Sequence, residues 1–222
     1  MPRYVEILRE KYGATNVSLT PHGAFECPPF SPSKHGCPRR LLAFGKFGTY
    51  KRVETLLEAF LELRSDPAYR DIELVIAGTD SPTTPGYLAA VEAEIANMDG
   101  ITFTGYVAEE DVAPLFKSAQ IVVFPYTGTT GSSGPLHQAG SYSRPVVAPR
   151  IGDLLDLIDE EGYAAAAYEP GDAASLATAI TSLLDDPARV RSMGEQNHAA
   201  AVGLSLIDVA EWHVEHLINA AG

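Results

Sequence analysis

Lys46 and Lys51 leave one short stretch bounded by glycines, Phe44-Gly-Lys-Phe-Gly-Thr-Tyr-Lys-Arg52. Gly45 and Gly48 let the backbone bend sharply there. Two ammonium groups on one loop can hold a diphosphate as point charges, and Arg52 adjoins them. A second stretch, residues 121–149, reads as an apolar strand, a run of Thr, Gly and Ser, a short helix and another apolar strand. Within it, Gly131-Ser132-Ser133-Gly134 offers small residues whose backbone N–H groups can crowd around an anion. Pro135 follows, and proline is pre-set for the first helical position. A helix N-terminus with unbonded N–H groups and a positive dipole end is a phosphate site. Each feature also has an ordinary reading: loop lysines are often only solvated, and strand–loop–helix is a common crossover.

The background charge makes the lysines more telling. In 222 residues, 29 acidic side chains outnumber 16 basic ones, for a formal charge of −13. Such a chain is unsuited to a nucleic-acid or anionic membrane surface, so a phosphate ligand must be held by local donors. The N-terminus is amphipathic and charged, not a secretory signal, and no apolar run reaches the ~18 residues of a membrane span. A cytoplasmic location is the expectation. Cys27, His35 and Cys37 form an incomplete zinc set without Cys-x-x-Cys spacing, so the reading is two free thiols in a loop and no metal.

The elements that must position these residues follow from periodicity. Residues 1–15 read as a helix stopped at Gly13, 16–23 as a short strand, and 24–39 as a proline-rich linker or surface loop. From Arg40 strand and helix alternate: strands near 41–44, 72–77, 101–104, 121–124, 145–148 and 164–168, with helices between them. Val53, Leu56, Leu57, Phe60, Leu61 and Leu63 are spaced along one helical face, as are Leu88, Val91 and Ile95 in a helix over 87–98. Asp172 caps another helix. Helices over 187–201 and 206–219 close the chain. Strands apolar on both faces imply a parallel sheet covered on both sides. The fold class expected is α/β, a doubly wound, Rossmann-like parallel sheet with helices on both faces. Ligands of such sheets bind at the carboxyl ends of the strands, where the breaks at Gly45, Gly78, Gly105 and 128–134 all fall. The first loop is not G-x-G-x-x-G, which argues against NAD. Gly131–Gly134 lacks the spacing of an esterase nucleophile elbow. His137, on the short helix, reads as a packed or surface residue that could reach a ligand.

These motifs, taken in order, resemble the C-terminal, donor-binding domain of GT-B glycosyltransferases of the group 1, retaining family 4 type. The pieces are Phe44-Gly-Lys with Tyr-Lys51, Leu74-Val-Ile-Ala-Gly78, Ile101-Thr-Phe-Thr-Gly-Tyr-Val107, Ala119-Gln-Ile-Val-Val-Phe-Pro125, Arg144-Pro-Val-Val-Ala148 and the helix from Asp172. The resemblance spans residues 16–218. It implies a nucleoside diphosphate sugar as substrate, no cofactor and no metal, and transfer to a sugar or lipid-linked acceptor with retention. Lys46 and Lys51 would neutralise the leaving diphosphate, and Ser132, Ser133 and Gly134 would hold it at the helix start. Gly45, Arg52, Gly78, Thr130 and Gly131 would complete the donor pocket, with Tyr106 and Val107 at the base and Gln138 at the ribose.

Two departures accompany the resemblance. The family carries two glutamates eight residues apart around the phosphate loop, and Thr130 and Gln138 stand at those positions. Gln138 can still hydrogen-bond a ribose hydroxyl, whereas Thr130 supplies no carboxylate. The family also carries an N-terminal acceptor domain, of which 1–23 resembles only the last helix and hinge. The expected organisation is that remnant, the linker at 24–39, a nucleotide-sugar-binding domain at 40–205, and a crossing helix at 206–222 with Trp212 partly exposed. The missing acceptor domain is then the expected partner, and the full protein could work at a membrane surface. A non-catalytic nucleotide-sugar-binding or scaffold module, and a GT-B type nucleotide-sugar epimerase, remain alternatives.

Overall fold

A computed structural model describes residues 2–20, 22–24, 27–33, 39–96, 98–128 and 133–221. After α1 (Pro2–Tyr12), strand and helix alternate: β1 (Arg40–Phe47), α2 (Glu54–Ser65), β2 (Glu73–Asp80), α3 (Tyr87–Glu94), β3 (Ile101–Phe103) and α4 (Glu109–Ser118). The series continues with β4 (Ile121–Val123), α5 (Gly134–Ser141), β5 (Val146–Pro149), α6 (Gly152–Glu160) and β6 (Ala165–Tyr168). It closes with α7 (Ala173–Leu184), α8 (Pro187–Gly203) and α9 (Leu206–Ala221). All strand pairs are parallel, and the six strands lie in the order β3-β2-β1-β4-β5-β6. This is the doubly wound Rossmann-like arrangement, with its switch point between β1 and β4.

Side chains alternate across the sheet, so neighbouring residues of β1 feed two different cores. Leu41 and Ala43 join Leu56, Phe60, Leu176 and Ile180 on the face of α2 and α7. Leu42 joins Phe116, Leu136, Ala139 and Leu154 on the face of α4, α5 and α6. Each such Leu, Ile or Phe contributes about 1.5–3 kcal/mol by leaving water. Asp172 caps α7 as expected, accepting from the Ser175 N–H at 2.9 Å.

Several boundaries differ from those read in the sequence. The segment expected as a strand over 16–23 forms none among its described residues, and its neighbour Ala24 makes only an isolated parallel bridge with Ser205. Residues with strand-like alternation stay irregular when no sheet edge lies beside them. Gly45 and Gly78 do not end their strands but lie inside β1 and β2, paired in register. Their φ values of 145° and 134° belong to glycine, and a Cβ on Gly78 would sit 1.8 Å from the Gly45 carbonyl oxygen. Only glycine lets the two strands take this geometry side by side. Helix α3 stops at Glu94, short of 98, because Ile95 leaves helical geometry. Leu61 is 38% exposed, off the buried face of α2.

The proline-rich segment lies against the body where it is described. The buried Arg144 guanidinium donates to the Ser31 carbonyl, to Ser33 Oγ at 2.9 Å and to the Ala119 carbonyl at 2.9 Å. His35 and Cys37 lie outside the described residues. Trp212 is partly exposed on α9 and stacks on His216 at 3.6 Å.

Candidate functional site

A cleft of about 490 Å³ opens at the carboxyl ends of β1 and β2, beside the switch point. It is lined by Phe44, Gly45, Lys46, Thr49, Tyr50, Lys51, Gly78, Thr79, Ser81, Tyr106, Val107 and Pro135. In a chain of charge −13 this lining holds two lysines and, among the described residues, no carboxylate or imidazole. A concave pocket with a few convergent polar groups at this edge is where α/β sheets bind ligands.

The loop that carries Lys51 is zipped onto the chain leaving β4. Lys51 forms an isolated antiparallel bridge with Tyr126. The Arg52 N–H donates to the Pro125 carbonyl at 3.1 Å and the Thr127 N–H to the Tyr50 carbonyl at 2.7 Å. This brings together two segments far apart in sequence. The Lys51 ammonium lies 4.8 Å from the Tyr126 ring centroid and 5.7 Å from that of Tyr50. Burial holds its pKa below the usual lysine range. Lys46, by contrast, is exposed at the rim of the same cleft.

The start of α5 closes one wall of the cleft. Ser133 is buried at the N-cap position, and Pro135 stands in the first turn as expected. Thr130, Gly131 and Ser132 lie outside the described residues. Gly134 and Gln138 line a second cavity of about 190 Å³ with His22, Glu109, His137 and Tyr142. Pro135 belongs to both linings, so the two cavities abut at the head of α5.

The structure thus gathers Gly45, Lys46, Lys51, Gly78, Tyr106 and Val107 in one cleft and sets Gly134 and Gln138 beside it. Arg52 does not line either cavity. Its guanidinium donates to Glu54 Oε1 at 2.5 Å and sits 5.6 Å from the Tyr87 ring, while the Tyr87 hydroxyl donates to Glu54 Oε2 at 2.7 Å. That local ion pair turns the charge away from the cleft, and Arg-Val-Glu spacing was its sequence signal. Thr49, Tyr50, Thr79 and Ser81 line the cleft although sequence reasoning passed over them. Their position just past Gly48 and Gly78 was the available signal. Tyr126, read only as part of an apolar run, had none.

His137 is packed rather than aimed at the cleft. It is 2% exposed, with Nδ1 3.0 Å from the Tyr163 hydroxyl and its ring stacked on His22 at 4.7 Å. Its Nε2 lies 3.6 Å from Glu161 Oε2, an oxygen without a hydrogen-bond partner among the described residues. Burial, helped by the nearby His22, pushes the imidazole down to about 4. Burial, helped by Glu160, pushes the Glu161 carboxyl up to about 7. The two therefore favour their neutral forms, and at neutral pH they are not a full ion pair.

With this geometry the comparisons with known proteins agree. The sequence profile of the family Glycosyl transferases group 1 matches residues 38–186, and the chain belongs to that family. It is 31% identical over 175 residues to D-inositol 3-phosphate glycosyltransferase 2 of Catenulispora acidiphila, covering 74% of this chain and 40% of that protein. It is 28% identical over 174 residues to MMP alpha-(1->4)-mannosyltransferase of Mycolicibacterium hassiacum, covering 78% and 41%. Among solved structures, sucrose-phosphate synthase of Thermosynechococcus elongatus superposes with a TM-score of 0.76 at 23% identity, covering 100% of this chain and 57% of that one. Anabaena HepE in complex with UDP-glucose superposes with a TM-score of 0.71 at 17% identity, covering 99% and 53%. These two structures share the fold. The chain spans about 40% of the length of the two curated relatives.

Proposed function

We propose that this chain is the donor-binding half of a glycosyltransferase and holds a nucleoside diphosphate sugar in the cleft at the ends of β1 and β2. The observation that carries this reading is the pair of lysines in a lining without carboxylates, in a chain otherwise strongly acidic. Lys51 and Lys46 meet the diphosphate, and the Gly134–Pro135 head of α5 adds the positive end of a helix dipole. Tyr106 and Val107 lie at the base, with Gln138 reached past Pro135 at the ribose.

The reaction breaks the bond between the anomeric carbon and the β-phosphate oxygen. An acceptor hydroxyl bonds to that carbon and gives its proton to the departing diphosphate, on which negative charge gathers. Preorganised cations at that point lower the barrier, since they stabilise charge that grows in the transition state. No cofactor enters this scheme, and the resemblance implies retention at the anomeric carbon. The acceptor groups come from a second, N-terminal half that packs on the apolar, exposed surface of α9, where Ile207 is 71% and Leu217 69% exposed. Such a donor is a cytoplasmic metabolite, and a lipid-linked acceptor would bring the whole protein to the membrane surface. An epimerase of this architecture needs carboxylate and histidine groups at the cleft, and the described lining offers neither.

Thermal melting with millimolar UDP, GDP and ADP, each alone, tests this reading. Ligand at about 100 times its dissociation constant adds about 2.7 kcal/mol, which raises the midpoint by roughly 5–10 °C in a domain this size. A rise with one nucleotide identifies the base. No rise with any of the three would overturn the proposal.

A further inference from the structure

Lys51 is the more buried of the two cleft lysines, and the groups around it are not those that normally accompany a withdrawn ammonium. Among the described residues no carboxylate lies within ion-pair distance of it. It is flanked by two aromatic rings instead, at 4.8 Å (Tyr126) and 5.7 Å (Tyr50), and those rings meet edge to face at 5.8 Å and 88°. A Cβ built on Gly45 would lie 3.5 Å from Nζ, so the ammonium rests against the bare backbone of β1 where the cleft begins. A carboxylate partner would cancel the charge. A ring face attracts a cation through its quadrupole and leaves the net positive charge in place.

The rings are held firmly. Tyr126 is 2% exposed and stacks on Phe124 at 5.4 Å. Its backbone is bridged to Lys51 itself. The Tyr50 carbonyl accepts from both the Thr127 N–H at 2.7 Å and Thr127 Oγ1 at 3.2 Å. At its far end the Tyr126 hydroxyl lies 3.4 Å from Ser133 Oγ, at the N-cap of α5. One side chain thus touches both the cation and the turn that leads into the helix.

We infer that Tyr126, with Tyr50, is a positioning residue for Lys51: the two ring faces fix the ammonium against Gly45, uncancelled, where a phosphate oxygen of the ligand can replace the water it has lost. This inference rests on the donor-site reading and deepens it. The ionisable groups facing Lys51 are the Tyr50 and Tyr126 phenols, and Lys46 lines the same cleft. Burial raises the Tyr126 phenol pKa well above its usual value, so that ring stays neutral across the working range.

The test is a 13C/15N NMR titration of the Lys51 amine in the whole chain without nucleotide, in the wild type, Tyr126→Phe, Tyr126→Leu and Tyr50→Leu. Phenylalanine keeps the ring. Leucine keeps apolar volume but removes the quadrupole, so it should lower the Lys51 midpoint, whereas mere loosening would admit water and raise it. The expected result is a lowered midpoint in Tyr126→Leu, a smaller lowering in Tyr50→Leu and no change in Tyr126→Phe. UDP or GDP affinity should fall about 5-fold in Tyr126→Leu and stay within about 2-fold in Tyr126→Phe. A midpoint that is unchanged or raised in Tyr126→Leu overturns the inference. Should that variant not fold, Tyr50→Leu decides by the same criterion. A wild type that binds no nucleotide overturns the donor reading, and the Lys51 titration still decides the ring placement.

Discussion

Lys51 and Glu161 are both largely withdrawn from water and, among the described residues, neither has a full counter-charge, yet they sit in different kinds of place. Lys51 is held between two tyrosine rings at the lip of a 490 Å³ cleft. Glu161, at the C-cap of α6, has a largely buried side chain, with one oxygen unbonded among the described residues and beside it the His137 imidazole, which burial keeps neutral. Desolvation drives each toward its uncharged form, lowering the lysine and raising the carboxyl. An incoming anion can compensate the first. The second can only relax by taking up a proton. An uncompensated charge at an open strand edge can be met by an anion, while the same imbalance at a largely buried carboxyl is a cost in stability that varies with pH.

The sharpest way to break the open side is at its backbone. Gly78→Ala places a methyl group against the Gly45 carbonyl at a φ of 134°, so β1 and β2 must separate where they carry the cleft. A loss of about 3–4 kcal/mol is expected by urea denaturation, together with loss of nucleotide binding. Next comes the charge itself. Lys51→Met keeps the stem and removes the ammonium, and should weaken UDP or GDP binding by roughly 30- to 100-fold in calorimetry. Its melting temperature should not fall, because the desolvation cost goes with the charge.

Glu161→Gln probes the buried side, and its effect depends on pH. A carboxyl raised from 4.5 to about 7 binds its proton more tightly in the folded state, so its stabilising balance falls as pH rises between those values. A histidine lowered from 6.5 to about 4 does the reverse, adding stability as pH rises from 4 to 6.5. The two slopes oppose each other where they overlap, which flattens the wild-type profile. Glu161→Gln should therefore match the wild type near pH 4.5 and exceed it by about 1–2 kcal/mol at pH 7.5, measured by denaturant melts across that range. Nucleotide affinity should not change. The smallest effect is expected from Arg52→Ala. Its guanidinium pairs with the half-exposed Glu54 outside the cleft, so affinity should move by less than about 2-fold.

The sheet and the edge where its cleft opens were legible because they are written locally. Apolar runs ending in Gly45, Gly78 and Gly105 mark strands, and the lysines adjoin the first of them. The limits of β1 and β2 went astray, since a glycine that ends an ordinary strand can also let two strands continue side by side. The false strand at 16–23 followed from alternation without a partner. The cage around Lys51 was not legible, because Tyr126 meets it through backbone pairing between segments far apart in sequence, and a tyrosine after Val-Val-Phe-Pro reads as core. His137 gave a fair warning as a packed residue, but nothing in its neighbourhood pointed to Glu161 or Tyr163. Arg144 likewise gave no sign that it clasps Ser31 and Ser33.

The most direct test of the contrast is amide chemical-shift mapping of the whole chain on addition of UDP and then GDP. The expected result is that one nucleotide moves the resonances of Gly45, Lys51, Gly78, Tyr106 and Gly134 and leaves those of Glu161 and Tyr163 in place. Shifts centred on Glu161 and Tyr163, or none with either nucleotide at millimolar concentration, would contradict the assignment of the cleft as the donor site.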